Sequence, residues 1–558
     1  MQRITVGEYL LLRLADAGLR HAFGVPGDYN LSFLDQVEAD PRITWVGTCN
    51  ELNAAYAADG YARISGLGAV ITTFGVGELS AINGIAGSFA EYVPVVAITG
   101  APSLAVQGSG AMMHHTLGTG DFSVFARMYE RVTATQAYLT RENAAAEIDR
   151  VLTICLRRKQ PVYLSLPADV ASARIKSPTG PLPAWDYTSD PDALAEAIEA
   201  AVDFLESAER PAVLADVGVD RYRMQTALRG LLDATGYPWA TMIMGKGLLE
   251  ETHPQYIGLY NGAMSDDYVR SRIEDADGIL TIGTLLSDFN TGGFSAKLDP
   301  ARTIEVRGAF LRVRRALYEK VAMRDVLPLL SQRLRRRDPS SLDIQQADCR
   351  VDPGFVTPFV AQSGAPITQR RLWHRLSRFL GGDDVVLAEA GTSLFGAATM
   401  PLPPAVTFIS QLLWASIGYT LGAMVGTALA SPHRRTVLMI GDGALQFTAQ
   451  ELSTVLRHNA AGVVLILNND GYTVERVIRG STQGYNDIQP WRYHRLPQLL
   501  GGNATGLRVT TEDELEHGLA EAGRHPDRVT IIEIVMDKMD CPDLLQKIAS
   551  AAAAMNQY

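Results

Sequence analysis

Short runs of Val, Ile and Leu that stop at Gly or Pro, each parted from the next by an amphipathic stretch of helix length, recur along the 558 residues. Buried parallel strands read this way, because helices cover both faces of the sheet and each crossover returns the chain to the same edge. From Thr5 to about Val170 the runs are "HAFGVPG", "ITWVGTC", "GAVITTFG", "VPVVAITG" and "PVYLSLP". From Pro191 to Arg337 they are "PAVLADVG", "ADGILTIGT" and "RTIEV", and from Arg370 to Asp537 "DVVLAEAG", "RRTVLMIGDG", "GVVLILNND" and "VTIIEIVM". The separators, Arg174 to Asp190 and Arg337 to Gln369, carry prolines and lose the periodicity. The expectation is an α/β protein of three doubly wound parallel-sheet domains, at 1–175, 190–337 and 365–558, the first and third being candidate duplicates.

Lys and Arg number 50 and Asp and Glu 61, so the net charge is 50 − 61 = −11. Spread along the chain, that balance argues against nucleic-acid or anionic-membrane partners. The four cysteines, Cys49, Cys155, Cys349 and Cys541, show no CxxC spacing, so neither a disulfide framework nor a zinc site is expected. The start "MQRITVGEYLLLRLADAGLR" threads charges through an amphipathic helix, unlike a secretion signal. No run reaches the roughly 20 apolar residues of a membrane span. A soluble, cytoplasmic protein is expected.

The stretch Gly441 to Asp470, "GDGALQFTAQELSTVLRHNAAGVVLILNND", holds an acid, Asp442, in a glycine turn at the carboxyl end of a strand, with a helix expected from about Gln446. Such a turn brings backbone N–H groups to an anion, and an acid there repels a bare phosphate. A divalent cation between them removes the conflict, because Mg²⁺ takes one carboxylate, neutral oxygens, water and phosphate oxygens. Asn469 and the Gly471 carbonyl, at the end of the next strand, offer the neutral oxygens. An ordinary crossover with turn-forming Gly, Asp and Asn is the plainer reading.

GDG followed after 24 residues by "NN" resembles the thiamine diphosphate signature. Over its whole length the chain resembles the thiamine-dependent 2-oxo acid decarboxylases related to pyruvate decarboxylase. The resemblance implies thiamine diphosphate and Mg²⁺ as cofactors, with Asp442, Asn469 and the Gly471 carbonyl as metal ligands. It places Glu51, in "GTCNELNAAYAADGYAR", on the ring nitrogen of the aminopyrimidine. It places Ile417 under the bent cofactor and the Ala415 carbonyl on the 4′-amino group, provided that the φ of Ala415 is negative. Thr392, Gly443, Ala444 and Tyr472 complete the implied cofactor contacts. Ala444 replaces a Ser found in many relatives. Asp28 of "GVPGDYN", His114 and His115 of "MMHHTLGTGDF", and Glu475 of "NNDGYTVERVIRG" resemble the acid-base set of the pyruvate decarboxylase branch.

The implied reaction converts a 2-oxo acid to an aldehyde and CO₂ through a cofactor ylid and enamine. Because Glu51 and Asp442 fall in different domains, the family pattern implies at least a dimer with shared sites, and a homotetramer is expected. Phe289, Leu394, Val474 and Ile548 resemble the substrate pocket wall, and their volumes point to aryl or branched-chain 2-oxo acids, such as indolepyruvate, phenylpyruvate or 2-oxoisovalerate. Plain core packing is the alternative for these four. Pyruvate decarboxylation, and carboligation making acyloins, stay open as competing activities, and a non-catalytic homologue is disfavoured because Glu51, Asp442 and Asn469 are all present. The middle domain is expected to be structural.

Overall fold

A computed structural model describes residues 3–183, 186–345 and 352–555. Three large sheets carry it. In the first, the strand order is Thr44–Gly47, His21–Gly24, Gly68–Thr73, Val95–Ala101, Val162–Pro167, Gln136–Tyr138. In the third it is Thr407–Ile409, Val385–Ala388, Thr436–Gly441, Gly462–Asn468, Val529–Val535, Ala504–Val509. Counted within each sheet the order is the same, 2-1-3-4-6-5, and every pairing is parallel. The central strands of the first sheet, such as Val95–Ala101, are buried at every residue and those of the third at all but their last, which is why they read as continuous apolar runs.

The middle sheet departs from the expected all-parallel form. Its parallel strands include Pro211–Ala215, Gly278–Ile282 and Thr303–Val306, and beyond the last it continues into an antiparallel hairpin, Phe310–Val313 with Ala316–Glu319. That hairpin alternates half-buried and buried residues along "FLRV", a period the apolar-run criterion passes over. The first separator is not wholly irregular either, since Arg174–Lys176 pairs antiparallel with Arg3–Thr5. Residues 346–351 of the second separator, with Cys349, lie outside the described residues. No helix among the described residues is long and apolar enough to cross a membrane.

The first and third domains share one apolar core. Helix Glu51–Ser65 lies along helix Tyr419–Ala430, and small residues set their approach. A Cβ on Gly60 would come within 2.4 Å of the Ala423 carbonyl, and one on Gly426 within 1.9 Å of that of Ala57. Buried charge crosses the same seam: Arg63 donates to Asp59 (2.6 Å) and Glu91 (2.8 Å), and the Tyr419 hydroxyl donates to Asp59 (2.6 Å). Each buried charge there has a partner, as burial requires.

Candidate active site

In doubly wound sheets a crevice opens beyond the carboxyl ends of the strands where the order reverses. In the first sheet these are His21–Gly24 and Gly68–Thr73, followed by Asp28 and the turn Thr73–Gly77. In the third they are Val385–Ala388 and Thr436–Gly441, followed by Thr392 and Asp442.

Four expected residues converge on the first turn. Glu51 is the first residue of its helix, whose cap is made by Asn50 accepting from Asn53 N. A Cβ on Gly77 would stand 3.0 Å from Glu51 Oε1, and one on Gly75, at φ 68°, would stand 2.0 Å from the His115 carbonyl. Only glycine lets the His114–His115 loop come this close. Asp28 Oδ2 and His114 Nε2 share a hydrogen bond of 2.7 Å. The His114 ring stacks on Tyr29, with centroids 5.0 Å apart, and His115 meets His114 edge-on at 4.8 Å. The Asp28 and His114 side chains are about half exposed, 49% and 55%.

The third-domain group is buried. Asp442 is 1% exposed and Asn469 2%, side by side because Gly441 pairs with Leu467 across parallel strands. The helix begins at Asp442 itself, not at Gln446 as expected, so the acid lies inside its first turn. Asp442 accepts from Gly443 N (2.8 Å) and Gly471 N (3.1 Å), and burial pushes its pKa up to about 6. The inner atom of the Asn469 amide is 3.0 Å from the Gly471 carbonyl oxygen and 3.1 Å from Asp442 Oδ1. With nitrogen inward it donates to both, and its oxygen accepts from Thr473 Oγ1 at 3.0 Å. With oxygen inward it meets two other oxygens at 3.0 and 3.1 Å, a crowding of acceptors that a cation relieves. Ligands at right angles around an ion with bonds of about 2.1 Å stand about 3.0 Å apart, so this donor set fits octahedral Mg²⁺.

Models of thiamine pyrophosphate enzymes match the chain in three pieces: the N-terminal TPP binding domain over residues 4–122, the central domain over 198–323 and the C-terminal TPP binding domain over 389–534. An alpha-keto-acid decarboxylase of Mycolicibacterium paratuberculosis is 45% identical over 545 residues, 98% of this chain and 96% of that protein. Those of Mycobacterium leprae and Mycobacterium tuberculosis are each 44% identical, over 99% and 98% of this chain and 96% and 97% of their own lengths. The chain belongs to the thiamine diphosphate-dependent 2-oxo acid decarboxylase family.

For a decarboxylase of this family, the remaining expected residues divide as follows. Thr392 is buried at the start of helix Thr392–Thr399, after Gly391 at φ 130°. Gly443 packs on the Tyr472 ring, where a Cβ would come within 2.6 Å, and Ala444 is buried in the same helix. Glu475 is exposed in the first turn of Thr473–Arg479. Ile417 packs partly buried against the shared core. Ala415 departs from its condition: its φ is +52°, the left-handed region disfavoured for residues with a Cβ. Leu394 and Ile548 are buried in one apolar cluster, against which Phe289 and Val474 pack, and Phe289 reaches from the middle domain to within 6.0 Å of the Phe395 ring. That arrangement serves a pocket wall and a core equally.

Two buried acids escaped the sequence reading. Glu78 accepts from Gly75 N (2.8 Å) and the Tyr163 hydroxyl (2.8 Å), and burial raises its pKa to about 7. Glu389 accepts from Ala390 N (3.1 Å), Thr420 N (3.0 Å) and Thr420 Oγ1 (2.5 Å), with burial again raising its pKa to about 7. Glu78 braces the turn beside Glu51 and His115. Glu389 ties the Thr392 loop to the segment after Ile417. The signal available in both cases was an acid beside a glycine turn at a strand end, in "FGVGELS" and "LAEAGTS".

Proposed function

We propose that this chain catalyses non-oxidative decarboxylation of 2-oxo acids, RCOCOO⁻ plus a proton giving RCHO and CO₂, with thiamine diphosphate and Mg²⁺. The observation that carries the reading is the Asp28–His114 hydrogen bond in a half-exposed cluster that also holds His115 and faces the Glu51 turn. The names of the mycobacterial relatives support the same chemistry. When bound, thiamine diphosphate supplies a carbon nucleophile that adds to the keto carbon and holds the electron pair left by departing CO₂.

The protein's own groups handle protons and position. Asp442, Asn469 and the Gly471 carbonyl would hold Mg²⁺ for the diphosphate. Glu51 shares a proton with the pyrimidine ring nitrogen, the role for which a carboxyl rather than an amide is needed. Asp28 and His114, joined by one hydrogen bond, would supply the proton that the aldehyde carbon needs, and His115 and Glu475 would orient substrate and accept the proton given up when the aldehyde leaves. The Ala415 carbonyl, presented from left-handed backbone in place of the negative φ first required of it, and Ile417 would contact the cofactor.

Among the described residues no hydrogen bond joins Asp28, Glu51, His114 or His115 to Asp442, Asn469 or Gly471. Large apolar side chains stand exposed beside both groups: Val76 in the turn next to Glu51 and Phe447 on the helix that begins at Asp442. Exposed apolar residues so placed support a second copy covering both, with each site formed between two chains in the cytoplasm. At least a dimer follows, and a tetramer as a pair of dimers.

The substrates proposed are aryl and branched-chain 2-oxo acids. Support comes from the apolar cluster in which Val474 packs 3.7 Å from the Cβ position of Gly391, near Leu394, Ile548 and Phe289. Aldehyde and CO₂ are to be measured for pyruvate, 2-oxoisovalerate, phenylpyruvate and indolepyruvate with Mg²⁺ and thiamine diphosphate. A kcat/KM on pyruvate about tenfold or more above all three larger acids sinks the substrate proposal, since a methylene in such a pocket shifts selectivity by roughly that much. Acyloin as the main product in the absence of added aldehyde sinks the reaction.

A further inference from the structure

The loop that presents the Gly471 carbonyl is held from behind by one side chain. Arg476, whose side chain is wholly out of solvent, donates from Nη1 to the carbonyl of Asn469 (3.2 Å) and from Nη2 to those of Asp470 (2.6 Å) and Asn486 (3.3 Å). Nη2 also meets Asp487 Oδ1 at 2.8 Å. The Asn486 carbonyl accepts from Tyr472 N as well (3.0 Å), and a Cβ on Gly471 would come within 2.3 Å of it. The loop is thereby folded flat on the segment 484–487. Asp470 and Gly471, consecutive in the chain, have φ of +60° and +119°. Backbone of that kind persists only where its surroundings over-determine it.

We propose that Arg476 is the positioning residue of the cation site. By drawing the carbonyls of Asn469 and Asp470 to the back of the loop, it turns the following carbonyl, that of Gly471, and the Asn469 side chain toward Asp442. The inference rests on the reading that Asp442, Asn469 and Gly471 take Mg²⁺, and adds the residue that sets their arrangement. A guanidinium suits the task because its planar fork reaches several fixed acceptors at once, whereas an ammonium is a point donor on a flexible stem. Asp487 contributes less, because its side chain is 62% exposed and an ion pair open to water is weak. The three carbonyls, those of Asn469 and Asn486 in buried bonds and that of Asp470 in a part-buried one, are the determining partners.

The test uses the full-length protein and compares wild type with Arg476→Lys, Arg476→Ala and Asp487→Asn. Mg²⁺-dependent binding of thiamine diphosphate is read by calorimetry and by quenching of intrinsic fluorescence, with kcat at saturating Mg²⁺ and cofactor as a second readout. Wild type comes first: if it binds thiamine diphosphate without any need for Mg²⁺, the metal reading itself fails, whatever the variants do. Given Mg²⁺-dependent wild-type binding, Arg476→Lys should weaken Mg²⁺ by about tenfold or more, the usual cost of removing an outer-shell partner. Its kcat at saturation should stay within about threefold of wild type, since a positioning defect in binding is overcome by excess ligand. Millimolar guanidinium should restore affinity to Arg476→Ala, and Asp487→Asn should bind as wild type. Wild-type Mg²⁺ affinity in Arg476→Lys overturns the proposal, as does a loss of kcat at saturation with affinity unchanged. If Arg476→Ala does not fold, Arg476→Lys decides alone.

Discussion

The first and third domains share a strand order and both place polar groups at the point where that order reverses, yet they hold those groups differently. In the third domain Asp442 and Asn469 are 1% and 2% exposed, and Asp442 is held by the N–H groups of Gly443 and Gly471. In the first, Asp28 and His114 sit half exposed on loops, joined mainly to each other and to Tyr29. A site that must bind a cation of fixed geometry has its donors preorganised by burial. Groups that must exchange protons with substrate and water stay accessible, and reach a closed surrounding only when another surface covers them. On the proposed roles, one half binds and the other moves protons.

The largest effect that sharpens this division is expected from Glu51→Gln. An amide can donate a hydrogen bond to a ring nitrogen but cannot transfer a proton to it as a carboxyl does, so kcat should fall by about 10²- to 10⁴-fold, the usual range for a positioned proton-transfer group. Mg²⁺-dependent binding of thiamine diphosphate, measured by calorimetry, should change little. Loss of binding in step with kcat would break the division, because it would make Glu51 a holding residue.

Next in size are Asp28→Asn and Glu475→Gln, each expected to lower aldehyde release by about a hundredfold while cofactor affinity is kept. These two residues lie on opposite sides of the comparison, since Glu475 belongs to the third domain but is exposed like Asp28. If exposure marks the proton-handling groups, the two variants should behave alike. A Glu475→Gln enzyme with normal turnover would show that the domain, and not the exposure, decides the role.

Much of this was legible in the sequence, and unequally. The strands that are buried on both faces gave uninterrupted apolar runs, and the acid and amides of Asp442 and Asn469 stood at strand ends where few other residues are so placed. The hairpin Phe310–Glu319 was not legible, because an edge hairpin alternates. The start of the helix at Asp442 was missed for a related reason: the glycines on either side suggested a longer turn than the chain makes. Glu78 and Glu389 were passed over because acids near glycine turns are usually solvated, and only the fold shows that both are enclosed. The negative φ required at Ala415 was a condition the sequence had no means to check, and the backbone does not meet it.

The buried acids give a test of stability rather than rate. Each half has one bracing carboxyl whose pKa is raised by burial to about 7 from 4.5. Between those two values the folded chain keeps a proton that the unfolded chain has released, so the contribution is fully present below about pH 4.5 and is lost as pH rises through about 7. A shift of that size corresponds to about 3 kcal/mol per group. Glu78→Gln should therefore flatten the fall in Tm between pH 5 and 8, since its amide can donate to the Tyr163 oxygen while accepting from Gly75 N. Glu389→Gln should lower Tm at every pH, because all the partners of Glu389 donate from backbone or from Thr420, and an amide nitrogen has to face one of them. A Glu78→Gln protein with the wild-type pH slope would remove Glu78 from this account.

The smallest effect concerns Ala415, where the third domain meets the first. Its neighbours are firmly held: Leu413 N donates to Glu91 (2.8 Å), the Trp414 indole to Asn83 (2.9 Å), and the Ser416 hydroxyl meets that of Tyr56 at 2.7 Å. With both flanks fixed across the domain seam, the backbone between them has little choice, and Ala415 takes φ +52°. A Cβ in that region costs about 1–2 kcal/mol, while glycine adds about 0.4–1 kcal/mol of unfolded-chain entropy to be lost on folding. Ala415→Gly should thus raise stability by on the order of 1 kcal/mol or less. Cofactor affinity should be unchanged, because the proposed contact is made by the backbone carbonyl, which glycine keeps. A denaturation midpoint clearly below wild type would mean that the methyl group packs usefully against the seam. A loss of cofactor affinity with stability intact would mean instead that the restricted backbone, and not the carbonyl alone, holds the cofactor's shape.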